Sequence, residues 1–368
     1  MAGAGDVNGD GFADIALGAP FFDSGQTNEG GVFVFHGGTV VDLAVDRVVE
    51  KNVAGALLGS AIASADTNGD GYSDLAIGVP LETDYTISEF GTVWITIGSA
   101  NGLGAENYPV RGLSSSTTAG RFGSALAFVD YNGNGYPELF VGAPEESGGA
   151  GRPAQGFAYM VRSGLRLSSN IDDTLDGTQS GAQLGHAIAT GDINRDGLGD
   201  IAVGLPNFDT GSVNVGRVEL YYGAPGGFNA TPDAVLNGGT AQARFGRAVA
   251  IGDFNGDSYG DLAVGAPDQI TNGGEVHVFY GGPGAFNTTV DRVISIAQFG
   301  ARHGEVVANV GDLTGDGIVE LGDRCAFGRH WSCHGRRCCL SLRWHWFGRR
   351  SLARRVPRGR NRAVNNWA

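Results

Sequence analysis

The sequence predicts an all-β fold, a β-propeller of four-stranded blades, and three observations carry that reading. A fifteen-residue phrase recurs, as DVNGDGFADIALGAP from Asp6, DTNGDGYSDLAIGVP from Asp66, DYNGNGYPELFVGAP from Asp130, DINRDGLGDIAVGLP from Asp192 and DFNGDSYGDLAVGAP from Asp253, with a sixth start, DLTGDGIVE, at Asp312. Successive starts lie 60, 64, 62, 61 and 59 residues apart, a period that belongs to stacked supersecondary units. Between the copies run short, Gly-bounded segments rich in Val, Ile and Phe with no sustained 3.6-residue period, which removes the helical solenoid as a competing repeat fold.

Each unit is built in the same order. In the second, LGSAIASAD from Leu58 alternates small and apolar residues as a strand does; the acidic loop follows; DLAIGVP is a second strand, ended by Gly and Pro. GTVWITIG, from Gly91, is a third, and a polar connection leads to a weakly marked fourth. The same sequence of signals appears as FGSALAFVD with GFAYMV, LGHAIATGD with GRVELYYG, and FGRAVAIGD with GEVHVFYGG. Four short antiparallel strands at this period describe propeller blades. The first unit lacks the leading Phe-Gly or Leu-Gly. The sixth opens as HGEVVANVGD from His303, but no apolar strand or Gly-Ala-Pro follows Glu320. Instead comes a segment holding all four cysteines (Cys325, Cys333, Cys338, Cys339) and four of the five tryptophans. We therefore read residues 1–320 as propeller repeats, with five to six blades visible, and 321–368 as an anomalous tail, out of frame or disordered.

Charge divides the chain at the same place. Residues 1–320 hold 13 Lys and Arg against 38 Asp and Glu, whereas residues 321–368 hold 12 Arg against Asp323 alone. Nucleic-acid binding by the repeats is excluded, because counterion release needs clustered cations. No run approaches the roughly 18 apolar residues of a membrane-spanning helix. The motifs of zinc proteases, serine hydrolases, P-loop enzymes and dinucleotide-binding folds are missing, so the chain reads as a non-enzyme. CHGRRCC lacks the paired CxxC spacing of a zinc site.

The chemistry sits in the spacing DxNxDGxxD. Side-chain oxygens at its first, third, fifth and ninth positions, with the seventh carbonyl, can surround one hard cation, and the sixth-position Gly permits the tight turn. Ca²⁺ suits such a flexible all-oxygen cage better than Mg²⁺. An EF-hand would need an acidic twelfth residue and flanking helices, and here the twelfth residues are Leu17, Ile77, Val141, Val203 and Val264. The predicted ligands are Asp6, Asn8, Asp10 and Asp14; Asp66, Asn68, Asp70 and Asp74; Asp130, Asn132, Asn134 and Glu138; Asp192, Asn194, Asp196 and Asp200; Asp253, Asn255, Asp257 and Asp261; and Asp312 with Asp316. Asn134 removes one charge from the third loop and Ser258 replaces the turn glycine of the fifth, so the first, second and fourth loops are expected to bind most tightly.

The Phe-Gly or Leu-Gly opening, the DxNxDGxxD loop and the Gly-Ala-Pro close resemble FG-GAP repeats, the blades of the integrin α-chain N-terminal propeller and its bacterial relatives. The resemblance covers roughly residues 1–320. It implies a seven-bladed propeller whose loops bind Ca²⁺ through the residues named above. It also implies a module that acts outside the cell or at its surface, in adhesion or in binding a protein or glycan ligand of the surface or matrix. FG-GAP propellers also accompany secreted phospholipases and polysaccharide-degrading enzymes, so the alternative is an accessory propeller of a secreted hydrolase. Two sequons, at Asn229 and Asn287, are compatible with export.

Overall fold

A computed structural model of the chain describes residues 2–40, 44–83, 91–104, 107–111, 120–148, 151–164, 167–168, 170–225, 227–269, 273–295, 301–324 and 331–334. Most of the Cys- and Trp-rich tail lies outside the described residues. The first blade is β1 (Ala2–Gly5), β2 (Asp14–Ala19), β3 (Gly31–Phe35) and β4 (Arg47–Glu50). The second is β5 (Ile62–Ala65), β6 (Asp74–Val79), β7 (Thr92–Thr96) and β8 (Asn107–Arg111), and the third is β9 (Ala125–Val129), β10 (Glu138–Ala143), β11 (Phe157–Val161) and β12 (Asp173–Asp176). The fourth is β13 (Ala187–Gly191), β14 (Asp200–Leu205), β15 (Arg217–Tyr221) and β16 (Ala234–Asn237), and the fifth is β17 (Ala248–Gly252), β18 (Asp261–Ala266), β19 (Glu275–Phe279) and β20 (Arg292–Ser295). A sixth sheet holds β21 (Val306–Asn309), β22 (Leu321–Arg324) and β23 (Trp331–His334). Each sheet pairs its strands in chain order and antiparallel, and among the described residues no helix interrupts them. The fold is a β-propeller.

Blades meet through their first strands, β1 on β5, β5 on β9, β9 on β13, β13 on β17 and β17 on β21. The core is therefore a series of layers between sheets. In one such layer Ala202, Val218, Leu220 and Leu236 of the fourth blade face Val249, Leu262 and Val264 of the fifth. A second strand held between two neighbouring sheets is buried on both faces, and every residue of β6, β10, β14 and β18 is buried. This explains why those strands read as continuous apolar runs and not as alternation.

The Phe-Gly and Gly-Ala-Pro signatures are the two halves of one joint. A Cβ on Gly18, Gly78, Gly142, Gly204 or Gly265 would lie 2.0–2.1 Å from the carbonyl oxygen of Gly59, Gly123, Gly185, Gly246 or Gly304 in the following blade. Only glycine lets the two backbones approach that closely. Isolated parallel bridges, such as Gly156 to Leu184 and Gly216 to Phe245, tie the loop before a third strand to the next blade's opening.

The sixth blade keeps this plan past Glu320. Leu321–Arg324 pairs as its second strand, although Asp323 stands where the other blades carry an apolar residue. The buried Asp323 carboxylate lies 2.8 Å from His303 Nε2, and His303 fills the opening position that Phe or Leu holds elsewhere. A polar contact between two substituted residues thus occupies an otherwise apolar joint.

Candidate metal-binding loops

The six acidic loops each connect a blade's first strand to its second, and side-chain hydrogen bonds within each loop set its shape. In the first, Asp6 Oδ1 accepts the Gly9 and Asp10 amides at 2.6 and 3.1 Å while Oδ2 accepts Gly11 at 2.8 Å. Asn8 Oδ1 accepts the Asp10 amide and Asp10 Oδ1 accepts Phe12. The same nesting recurs around Asp66, Asp130, Asp192, Asp253 and Asp312. The amides of Gly11, Gly9 and Asp10 hold the Asp6 carboxyl below the usual range, and those of Gly317, Gly315 and Asp316 do the same for Asp312. The first, third and fifth side chains are thereby gathered at the solvent-facing tip with oxygen atoms as donors.

The ninth residue is placed differently. Asp14, Asp74, Asp200 and Asp261 are buried, and one oxygen of each accepts the amide of the motif's second residue, Val7, Thr67, Ile193 or Phe254. The other oxygen accepts the amide just beyond the third strand, Gly37, Gly98, Gly223 or Gly281, at 2.7–3.0 Å. These carboxylates brace the loop to its own sheet. Burial pushes Asp200 up to about 6 and Asp261 up to about 7, and raises Asp74 as well.

Where the ninth residue is Glu, one more methylene changes its reach. Glu138 Oε1 accepts the Asn132 side-chain amide at 2.6 Å, and Glu320 Oε1 accepts the Thr314 hydroxyl at 3.1 Å. In the sixth loop Asp312, Asp316 and Glu320 bring one oxygen each within 4.8 Å of the others, the one such acidic triad among the described residues. The repeat places Thr314 and Glu320 at the third and ninth positions of this loop, beside the predicted ligands Asp312 and Asp316.

Neighbouring loops interlock through residues that the sequence reading passed over. Tyr72 packs over Gly9, Tyr136 over Gly69, Leu198 over Gly133 and Ile318 over Gly256, so the seventh residue of one loop rests on the fourth-position glycine of the loop before it. The fourth loop carries Arg195 there, and its guanidinium faces the Tyr259 ring at 6.0 Å. Ser73, Gly199 and Gly260 amides add hydrogen bonds to the carbonyls of Asp6, Asp130 and Asp192. Ser258, in the fifth loop, adopts φ 71°, where the other loops place glycine at 84–88°. Ser258→Gly should therefore stabilise the protein by about 1 kcal/mol in urea denaturation, by relieving a left-handed backbone that disfavours a side chain.

Comparison with known proteins agrees with this architecture. The FG-GAP repeat model matches residues 2–35, 58–96, 122–159, 184–221 and 245–279, together half of the chain, each match running from a first strand through a third. Phosphatidylinositol-glycan-specific phospholipase D of Bos taurus is 32% identical over 199 residues, 50% of this chain and 24% of that protein. Integrin alpha-8 of Mus musculus is 27% identical over 294 residues, 71% of this chain and 26% of that protein. The chain thus spans about a quarter of the length of these relatives. The solved Dos1 propeller aligns with a TM-score of 0.46 at 10% identity, over 86% of this chain and 62% of that one. With five repeats recognised across half its residues, each coinciding with the strands and joint described above, the chain belongs to the FG-GAP repeat family.

Proposed function

We propose that this chain is a Ca²⁺-binding propeller that acts outside the cell or at its surface, in adhesion or in binding a protein or glycan ligand. The carrying observation is the repeated loop, in which the first-position carboxylate accepts the sixth-position amide in all six copies and the third-position Asn oxygen accepts the fifth-position amide in five. A hard, oxygen-only donor set fits Ca²⁺, held by Asp6, Asn8, Asp10 and their equivalents, with the ninth carboxylate buried behind them. When bound, the ion supplies positive charge that offsets the repulsion among clustered carboxylates and stiffens the loops. Because each loop leans on the next, a rigid row of loops supports the blades that carry the ligand surface. The likeness to integrin alpha-8 supports a binding role.

Chelator-stripped protein should gain melting temperature on Ca²⁺ addition, and no shift would contradict the reading. Asp10→Ala, Asp70→Ala and Asp196→Ala should each weaken calcorimetric Ca²⁺ affinity at that loop by about tenfold, and Asn134→Ala by less. Capture on immobilised matrix proteins or glycans should require Ca²⁺. A second reading, accessory propeller of a secreted hydrolase, is supported by the likeness to the bovine phospholipase D. A catalytic domain encoded in the surrounding coding sequence would favour it, and further repeats or adhesion modules would favour binding.

A further inference from the structure

The seventh-position carbonyl of each acidic loop is a predicted ligand, and the amide of the same peptide unit, at the eighth position, reaches into the loop before. The Ser73 amide donates to the Asp6 carbonyl at 2.8 Å, Gly199 to Asp130 at 2.9 Å and Gly260 to Asp192 at 2.9 Å. Each acceptor is the first-position Asp, whose carboxylate holds the amides of its own loop. Two further amides, Ser99 and Ala224, lie just beyond the third strands of the second and fourth blades and donate to the Val7 and Tyr131 carbonyls at 3.1 Å each. The third loop differs. Its eighth residue is Pro137, so the Tyr136–Pro137 peptide has no N–H to give. Among the described residues no backbone hydrogen bond from the third blade reaches the Asp66 or Thr67 carbonyl. Tyr136 still packs over Gly69, so side-chain packing persists where the hydrogen bond is lost. The sixth loop, whose lead-in from His303 to Asp312 is one residue longer than that from Phe245 to Asp253, sends no such bond to Asp253 either, among the described residues.

One peptide plane thus serves two loops. Fixing the Tyr72 carbonyl in a cation shell also fixes the Ser73 N–H, because the peptide unit is planar and stiff. That N–H keeps Asp6 in place, so less ordering remains to be done when the first loop closes. Polarisation through the same peptide strengthens the donor in the same sense. We propose, resting on the reading that these loops hold Ca²⁺, that they bind it in coupled blocks, the first loop with the second and the third with the fourth and fifth, with Pro137 as the break between the blocks. Linkage makes the coupling mutual, so damage to either loop of a bonded pair weakens the other by the same factor. A van der Waals contact on a glycine fixes no peptide plane, so the packing of Tyr136 on Gly69 does not bridge the break.

Hydrogen exchange of the full chain, resolved by mass spectrometry into peptides that cover each loop and followed along a Ca²⁺ titration of chelator-stripped protein, gives a midpoint for each loop. Asp70→Ala, which damages the second loop, should raise the midpoint of the first by about fivefold or more and leave the third within about twofold of wild type. Asp196→Ala should raise the midpoints of the third and fifth loops by a similar factor and leave the second unchanged. Pro137→Gly restores the eighth-position amide that Gly199 and Gly260 supply, and in that background Asp70→Ala should raise the third-loop midpoint as well. Each lesion is scored on protein whose β6 and β14 keep wild-type protection, with Asn68→Ala and Asn194→Ala as the milder lesions if alanine at Asp70 or Asp196 costs that protection. Loops that titrate independently would overturn the coupling while leaving the Ca²⁺ reading intact, as would a third-loop midpoint that moves with Asp70→Ala while Pro137 is present. Protein that gains no protection in any loop on Ca²⁺ addition would overturn both.

Discussion

Gly204→Ala should cost about 3 kcal/mol or more of unfolding free energy, although it adds a single methyl group. The new Cβ would meet the Gly246 carbonyl oxygen at 2.1 Å and its carbon at 3.1 Å. Both neighbours are backbone, held in the adjoining blade by the hydrogen bond that the Gly246 amide donates to the Gly265 carbonyl, so no side chain can rotate away. Relief requires the fourth and fifth blades to separate, which opens the layer of Val218, Leu236, Leu262 and Val264. Overpacking usually costs 1–3 kcal/mol, and a contact between two fixed backbones belongs at the top of that range. Gly239→Ala is the matched control, since a Cβ there meets nothing within 4 Å, and it should change stability by less than about 0.5 kcal/mol. Similar urea midpoints for the two variants would show that the joint yields without loss.

That joint was legible in the sequence as a pattern before it had a cause. Period, strand order and the Gly-Ala-Pro close could be read directly, because a propeller writes its plan once per blade and errors in one copy are corrected by the others. What the glycines were for could not be read. Gly204 and Gly246 lie 42 residues apart in the chain, and only the stacking of one blade on the next makes them partners. The same limit applies to His303 and Asp323. They lie 20 residues apart in the chain, and only the fold brings them into one buried contact.

The loops divide in a similar way. Their spacing announced oxygen donors on a tight turn, and the hydrogen bonds around Asp6 and Asp312 follow that spacing. The spacing makes the ninth residue a predicted ligand alongside the rest, and in the fold Asp14, Asp74, Asp200 and Asp261 also accept the amides that hold loop to sheet. A linear motif cannot distinguish a carboxylate facing a cation from one facing a backbone amide, since both needs select the same residue. The aromatic seventh residue was visible in Phe12, Tyr72, Tyr136 and Tyr259, and its role appears only where loops of consecutive blades touch.

Stability should fall by about 3 kcal/mol more in wild-type protein than in Glu146→Gln as pH rises from 4.5 to 8. Glu146 follows the Gly-Ala-Pro of the third blade and is 4% exposed, with Tyr159, also buried, hydrogen-bonded to it. Burial pushes its carboxyl from 4.5 up to about 7; the Tyr159 hydrogen bond opposes that shift and the charge of Asp176 adds to it. The folded chain therefore holds a proton that the unfolded chain releases across this interval. The stabilisation is complete below about 4.5 and is lost as pH passes about 7, an interval worth roughly 3 kcal/mol at about 1.4 kcal/mol per pH unit. Gln keeps the shape and a polar partner for Tyr159 without the charge, so its profile should lack this slope. Asp200 and Asp261, pushed up by burial in the same sense, contribute equally to both proteins, which makes the difference between the two profiles the quantity to measure. Parallel profiles would place the Glu146 proton on both sides of the folding equilibrium and remove it as a source of acid-side stability.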